Sequence, residues 1–128
     1  MIIDTDVLIW YLRGNERARA IVEGNIPFSI SAITYMELIQ GMKSKDEFRM
    51  FQKQIQKWNI EILHIDKEIS SRAVFYMQEY ALSHSMTLGD ALIAATAVQT
   101  GDGLSTANDK HYKYIPNLEC RRFEPEHS

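Results

Sequence analysis

The sequence predicts an α/β sandwich in which a short, mostly parallel sheet is flanked by helices. Three observations point there. Short stretches with strand character alternate along the chain with helical ones. The segment 87–100 is apolar almost all round, as befits a helix buried against a sheet. The chain, 128 residues and 14.8 kDa, has the length of one domain, able to bury about two-thirds of its unfolded surface without staples. No repeat, low-complexity tract or linker divides residues 1–128, which read as a single domain.

Residues 1–5 are short and β-branched and read as a buried first strand. The apolar run Val7, Leu8, Ile9, Trp10 carries a first helix to Leu12, where Gly14-Asn15 breaks it. A second helix runs from Glu16 to Val22 and is ended by Gly24-Asn25, and Pro27 to Ile30 reads as a second strand. Residues 34–41 read as a helix with Gly41 as its C-terminal punctuation. From Asp46 to Trp58 the apolar positions Phe48, Phe51, Ile55 and Trp58 mark one helical face. Ile60 to Ile65 alternates and reads as a strand, Lys67 to Leu82 is helical, and Thr87 to Thr100 is the buried helix. Its alanines permit close approach to a sheet. Leu104 to Thr106 and Glu119 to Phe123 supply the last two strands, before a polar tail.

Composition narrows the function. With 14 Lys and Arg against 17 Asp and Glu, the formal charge is −3, which excludes wholesale electrostatic wrapping of nucleic acid but not a local basic site. A lone cysteine, Cys120, excludes an internal disulfide framework and a thiolate zinc cluster, and predicts a reducing compartment. No apolar run approaches the ~18 residues needed to span a bilayer, and no signal-peptide pattern opens the chain. The expectation is a cytoplasmic protein with no membrane partner.

In parallel sheets ligands bind beyond the carboxyl ends of the strands, where strand order reverses. That is where acidic residues gather here. Asp4 and Asp6 follow the first strand, Asn108 and Asp109 follow the strand 104–106, and Glu37 and Asp90 each lie one turn into a helix. Each alone also reads as a helix cap: Thr34-x-x-Glu37 and Thr87-x-x-Asp90 have the form of capping boxes, and Asp4, Asp6 and Asn108 suit cap positions. Together they are harder to explain as caps, because acids gathered at one sheet edge raise one another's pKa values, a cost that a bound cation relieves. An all-oxygen donor set suits a hard ion, Mg²⁺ or Mn²⁺. Such ions hold phosphate oxygens and activate water, so metal-dependent phosphodiester hydrolysis is the leading chemistry.

Four segments carry a family resemblance. Ile2-Ile3-Asp4-Thr5-Asp6-Val7-Leu8-Ile9 with Leu12-Arg13-Gly14 resembles the opening of PIN-domain ribonucleases of the VapC toxin type. Ile30-Ser31-Ala32-Ile33-Thr34-Tyr35-Met36-Glu37-Leu38 with Gly41, Leu88-Gly89-Asp90-Ala91-Leu92-Ile93-Ala94-Ala95-Thr96-Ala97, and Ser105-Thr106-Ala107-Asn108-Asp109-Lys110-His111-Tyr112 resemble the next three motifs, in family order. The resemblance implies a PIN-like three-layer sandwich and a Mg²⁺-dependent endoribonuclease. It implies a toxin that cuts structured RNA such as tRNA or rRNA, paired with a cognate antitoxin and often forming a homodimer. Mn²⁺ is the expected substitute ion. The family's metal-binding acids fall on Asp4, Glu37 and Asp90, and its fourth position on Asn108, with Asp109 directly after it. Whether Asn108, Asp109 or both complete the catalytic set stays open, and three carboxylates predict one tightly held ion with a weaker second.

Lys45, Arg49, Lys53 and Lys57 recur every four residues and form a stripe able to track a phosphate backbone, or simply a solvated face. Arg13 and Lys43 lie nearer the acidic motifs and are comparable RNA contacts, and Thr106 is placed to orient a ligand or water. His64, His84 and His111 lack ligand spacing, and His127 falls in the tail. Two enzyme or binding alternatives use the same residues. Asp4-Thr5-Asp6-Val7 also fits a haloacid-dehalogenase phosphatase with Asp4 as nucleophile, and the neutral Asn108 also suits an inactive PIN binding module. A phospho-accepting receiver would use Asp66, but its acids are adjacent where Asp4 and Asp6 are spaced by one.

Overall fold

A computed structural model describes residues 1–125. Five strands, β1 (Ile2–Ile3), β2 (Ser29–Ser31), β3 (Glu61–Leu63), β4 (Leu104–Thr106) and β5 (Cys120–Arg122), form one sheet in the order β3-β2-β1-β4-β5. Every pair is parallel, with Ile2 opposite both Ser29 and Leu104. The chain moves outward from β1 through β2 to β3, then returns to the other side of β1 for β4. The order therefore reverses between β1 and β4, which is where a ligand crevice opens.

Six helices cover the sheet: α1 (Thr5–Leu12), α2 (Glu16–Gly24), α3 (Ala32–Gln40), α4 (Lys45–Trp58), α5 (Lys67–His84) and α6 (Leu88–Thr100). Neighbouring strand residues face opposite ways, and the shortest strand shows what that does. Ile2 joins one core, with Ile69, Ala73 and Tyr76 of α5 and Ala91, Ile93 and Ala94 of α6. Ile3 joins the other, with Val7 and Leu8 of α1, Ala18 and Val22 of α2, and Phe51, Ile55 and Trp58 of α4. Two cores on two faces of one sheet make the three layers. The alanines of α6 are buried on every side, as its sequence requires: Ala91, Ala94, Ala95 and Ala97 all have zero exposure.

Local chemistry sets the helix starts. Asn15, Ser44, Asp66 and Thr87 accept from the backbone N–H three residues on, and so cap α2, α4, α5 and α6. Asp66, the residue a receiver would phosphorylate, serves here as the N-cap of α5. The capping box expected at Thr34 does not form. Ser31 caps α3 three residues earlier by accepting from Ile33 N–H at 3.1 Å, which places Thr34 inside the first turn and fully buried. Among the described residues no helix is long and apolar enough to cross a membrane.

Candidate functional site

The carboxyl ends of β1 and β4, together with the N-terminal halves of α1 and α6 and Glu37 of α3, line a cavity of about 200 Å³. Its walls are Asp4, Thr5, Asp6, Ile9, Glu37, Asp90, Ile93, Asn108, His111 and Tyr112. Asp4, Glu37, Asp90 and Asn108, far apart in sequence, thus meet around one space.

Asp4 is both a cap and a site residue. Thr5 N–H donates to its Oδ1 at 2.8 Å, which starts α1, and the Thr106 hydroxyl donates to its Oδ2 at 2.8 Å. Only 5% of Asp4 is exposed. Burial, then the neighbouring charge of Asp6, pushes its carboxyl up from 3.8 to about 7, against the pull of the Thr106 and Thr5 hydrogen bonds. Burial raises Asp6 as well, although Ala107 N–H and Asn108 Nδ2 donate to its Oδ2 and the Thr106 hydroxyl lies 3.4 Å from it. Its Oδ1 is buried with no hydrogen-bond partner.

The other acids are held from the side. Thr5 Oγ1 donates to Glu37 Oε1 at 2.7 Å, and Thr34 lies 3.0 Å from that hydroxyl. Gly89 lets Glu37 lie against the start of α6, since a Cβ there would stand 3.3 Å from Glu37 Oε2. Tyr112, 1% exposed, donates its hydroxyl to Asp90 Oδ1 at 3.0 Å, and His111 Nδ1 is 3.3 Å from Asp90 Oδ2. Burial and then the charges of Asp4 and Asp90 raise the Tyr112 phenol, so it stays a proton donor.

Asp109 departs from the sequence expectation. It opens the 3-10 turn Asp109–His111 and is not among the residues lining the cavity; its carboxylate lies 3.8 Å from Arg122 on β5. The side chain of Thr106 is fully buried and its hydroxyl donates to Asp4. No lysine or arginine among the described residues lines the cavity. Arg13 sits at the far end of α1, about 13 Å along the helix from Asp4, with its guanidinium over Trp10. Lys43 is exposed just before α4, and Lys45 and Arg49 are exposed on α4, where Arg49 pairs with Asp46. His127 lies outside the described residues. Sequence reasoning left out Thr5, His111 and Tyr112, and named Asp6 among the gathered acids without carrying it into the metal or catalytic set. A signal existed for Asp6, two residues after Asp4 on the same strand end, but Tyr112 and His111 needed the turn that follows β4.

The donor chemistry fits a hard cation: four carboxylates and an amide, one carboxyl held abnormally high by burial and one carboxylate oxygen left unpartnered. The carboxylates are not drawn into a finished centre. Among the described residues no three His, Cys, Asp or Glu side chains stand as a formed metal-binding group. Glu37 and Asp90 are each tied by hydroxyl donors, and an ion would compete with those bonds.

The sequence matches the PIN-domain family over residues 1–117. The chain belongs to the PIN-domain family. This PIN domain is 32% identical over 123 residues to Ribonuclease VapC10 of Mycobacterium tuberculosis, covering 93% of this chain and 90% of that one. Its fold superposes on a toxin–antitoxin complex from Klebsiella pneumoniae with a TM-score of 0.73 and 31% identity, over 91% of this chain and 93% of that one. It also superposes on DNA-bound VapBC from Salmonella typhimurium, with a TM-score of 0.77 and 25% identity, over 94% and 96% of the two chains. Asp4 in this PIN domain is buried and bonded through both oxygens.

Proposed function

We propose that the protein is a divalent-metal-dependent endoribonuclease, the toxin of a toxin–antitoxin pair, that hydrolyses phosphodiester bonds in structured RNA such as tRNA or rRNA. The observation that carries this reading is the meeting of Asp4, Glu37 and Asp90 around one cavity in a PIN domain. Asp4, Glu37, Asp90 and Asn108 would hold the ion, Mg²⁺ in the cell with Mn²⁺ as substitute. A bound ion there supplies charge for the phosphate oxygens and lowers the pKa of water.

The chain's own residues do the rest. The Thr106 hydroxyl and Thr5 N–H fix the Asp4 carboxylate, and Tyr112 fixes Asp90. Ile9 and Ile93 line the cavity beside them as its apolar wall. With no cation of its own in the cavity wall, the site leaves long-range attraction of RNA to residues outside it, and Arg13, Lys43, Lys45 and Arg49 are the proposed phosphate contacts. The proposed partners are a cognate antitoxin and a second copy of the chain, and an RNA substrate implies work in the cytoplasm.

The test is cleavage of a structured RNA by purified protein with Mg²⁺ or Mn²⁺, beside a chelator control and Asp4→Asn. Metal-dependent cutting by the wild type alone is the expected result. Equal cutting in chelator, or by Asp4→Asn, refutes it. Inducible expression of both forms with mapping of new RNA ends identifies the substrate.

A further inference from the structure

The Asn108–Asp6 contact decides what occupies the fourth position of the site. Asn108 Nδ2 donates to Asp6 Oδ2 at 2.8 Å, and the same oxygen takes Ala107 N–H at 3.1 Å and lies 3.4 Å from the Thr106 hydroxyl. With Nδ2 as the donor, the amide has one orientation: its NH₂ faces Asp6 and its oxygen faces elsewhere. The backbone is held too, since Asn108 N–H donates to Thr106 Oγ1 at 3.1 Å. Asn108 lines the cavity, whereas Asp109 leans toward Arg122. An aspartate at 108 would set a second carboxyl at hydrogen-bond distance from Asp6, where the two repel when both are ionised and otherwise tie up a shared proton.

We propose that Asp6 is a positioning residue that turns the Asn108 amide oxygen toward the metal ion, so that a neutral oxygen at 108 completes the ligand set. The inference rests on the metal-dependent reading above. Amide oxygens are ordinary ligands for hard cations, and a neutral one suits a cavity that already holds Asp4, Asp6, Glu37 and Asp90. The consequence runs against simple charge counting. A carboxylate at 108 weakens the site, because it replaces the amide donor to Asp6 with a second acidic group at the same contact.

The experiment is Mn²⁺ titration of the full chain, followed by the electron paramagnetic resonance of free Mn²⁺, with melting curves of every variant in chelator. Asn108→Asp and Asp6→Asn should each weaken Mn²⁺ binding by about tenfold or more, in the range that partners of metal ligands usually carry. The double variant, which exchanges carboxylate and amide across the same contact, should recover to within about threefold of wild type, the signature of coupled neighbours. Asp109→Asn should bind as wild type. Tighter or unchanged binding by Asn108→Asp, or unchanged binding by Asp6→Asn, overturns the inference alone. A wild-type chain that binds no Mn²⁺ overturns the metal-dependent reading, and this inference with it.

Discussion

Replacing Asp4 by Asn removes a buried charge while leaving its neighbours paired. An Asn Oδ1 still accepts from Thr5 N–H, and an Nδ2 can donate to Thr106 Oγ1, freeing that hydroxyl proton for Asp6 Oδ2 3.4 Å away. Wild-type Asp4 has its carboxyl raised from 3.8 to about 7, so the fold favours the protonated form. Below pH 3.8 the group is protonated in both folded and unfolded chains and contributes nothing. As pH rises toward 7 the unfolded chain ionises freely and the folded one does not, so stability is lost across that window and stays low above it. At about 1.36 kcal/mol per pH unit, the full loss is about 4 kcal/mol at pH 8. With part of that recovered, Asp4→Asn should melt about 6–12 °C above wild type at pH 8 in chelator. The difference should shrink as pH falls toward 5. Differential scanning calorimetry from pH 5 to 8 checks both points. A variant that melts at or below wild type at pH 8, or a pH-independent difference, would refute the account of Asp4 as an uncompensated buried charge. Saturating Mg²⁺ should reverse the ranking at pH 8, because only the wild type gains stability from the ion.

Other changes test the neighbours. Tyr112→Phe keeps the buried ring and loses only the hydroxyl that donates to Asp90, so it should cost about 1 kcal/mol in stability. Its larger effect should be about tenfold weaker Mn²⁺ binding, measured by titration. Thr106→Val removes the donor shared by Asp4 and Asp6 and the acceptor of Asn108 N–H, all in a fully buried setting. It should destabilise by about 1–3 kcal/mol in urea unfolding. Gly89→Ala places a Cβ 3.3 Å from Glu37 Oε2, and should reduce metal affinity and cleavage with little change in melting temperature. Glu37→Gln beside it gives the size of the effect expected if Glu37 is fully lost as a ligand.

Most of the fold was legible because its signals are local. The face Phe48, Phe51, Ile55, Trp58 marks a helix by spacing alone, and α4 runs Lys45–Trp58. The strand Leu104–Thr106 falls where the sequence places it, and all five strands prove parallel. Caps are local too, yet one failed for a local reason: both Ser31 and Thr34 suit the N-cap of α3, and the earlier one takes it. The candidate site was legible as a set of acids at strand ends, because in a parallel sheet all such ends share one edge.

What the sequence by itself determined is therefore the elements, their order and the short list of acids. The tertiary structure alone decided how those acids are held. Asp4 meets Thr106 across 102 residues, Asn108 meets Asp6 across another 102, and Tyr112 reaches Asp90 from the turn after β4. It also turned Asp109 toward Arg122 and left the basic stripe of α4 outside the cavity. The physical reason is the range of the forces involved. Helix and strand periodicity acts over a few residues, whereas a buried carboxylate takes its partners, and its pKa, from whatever the fold sets beside it.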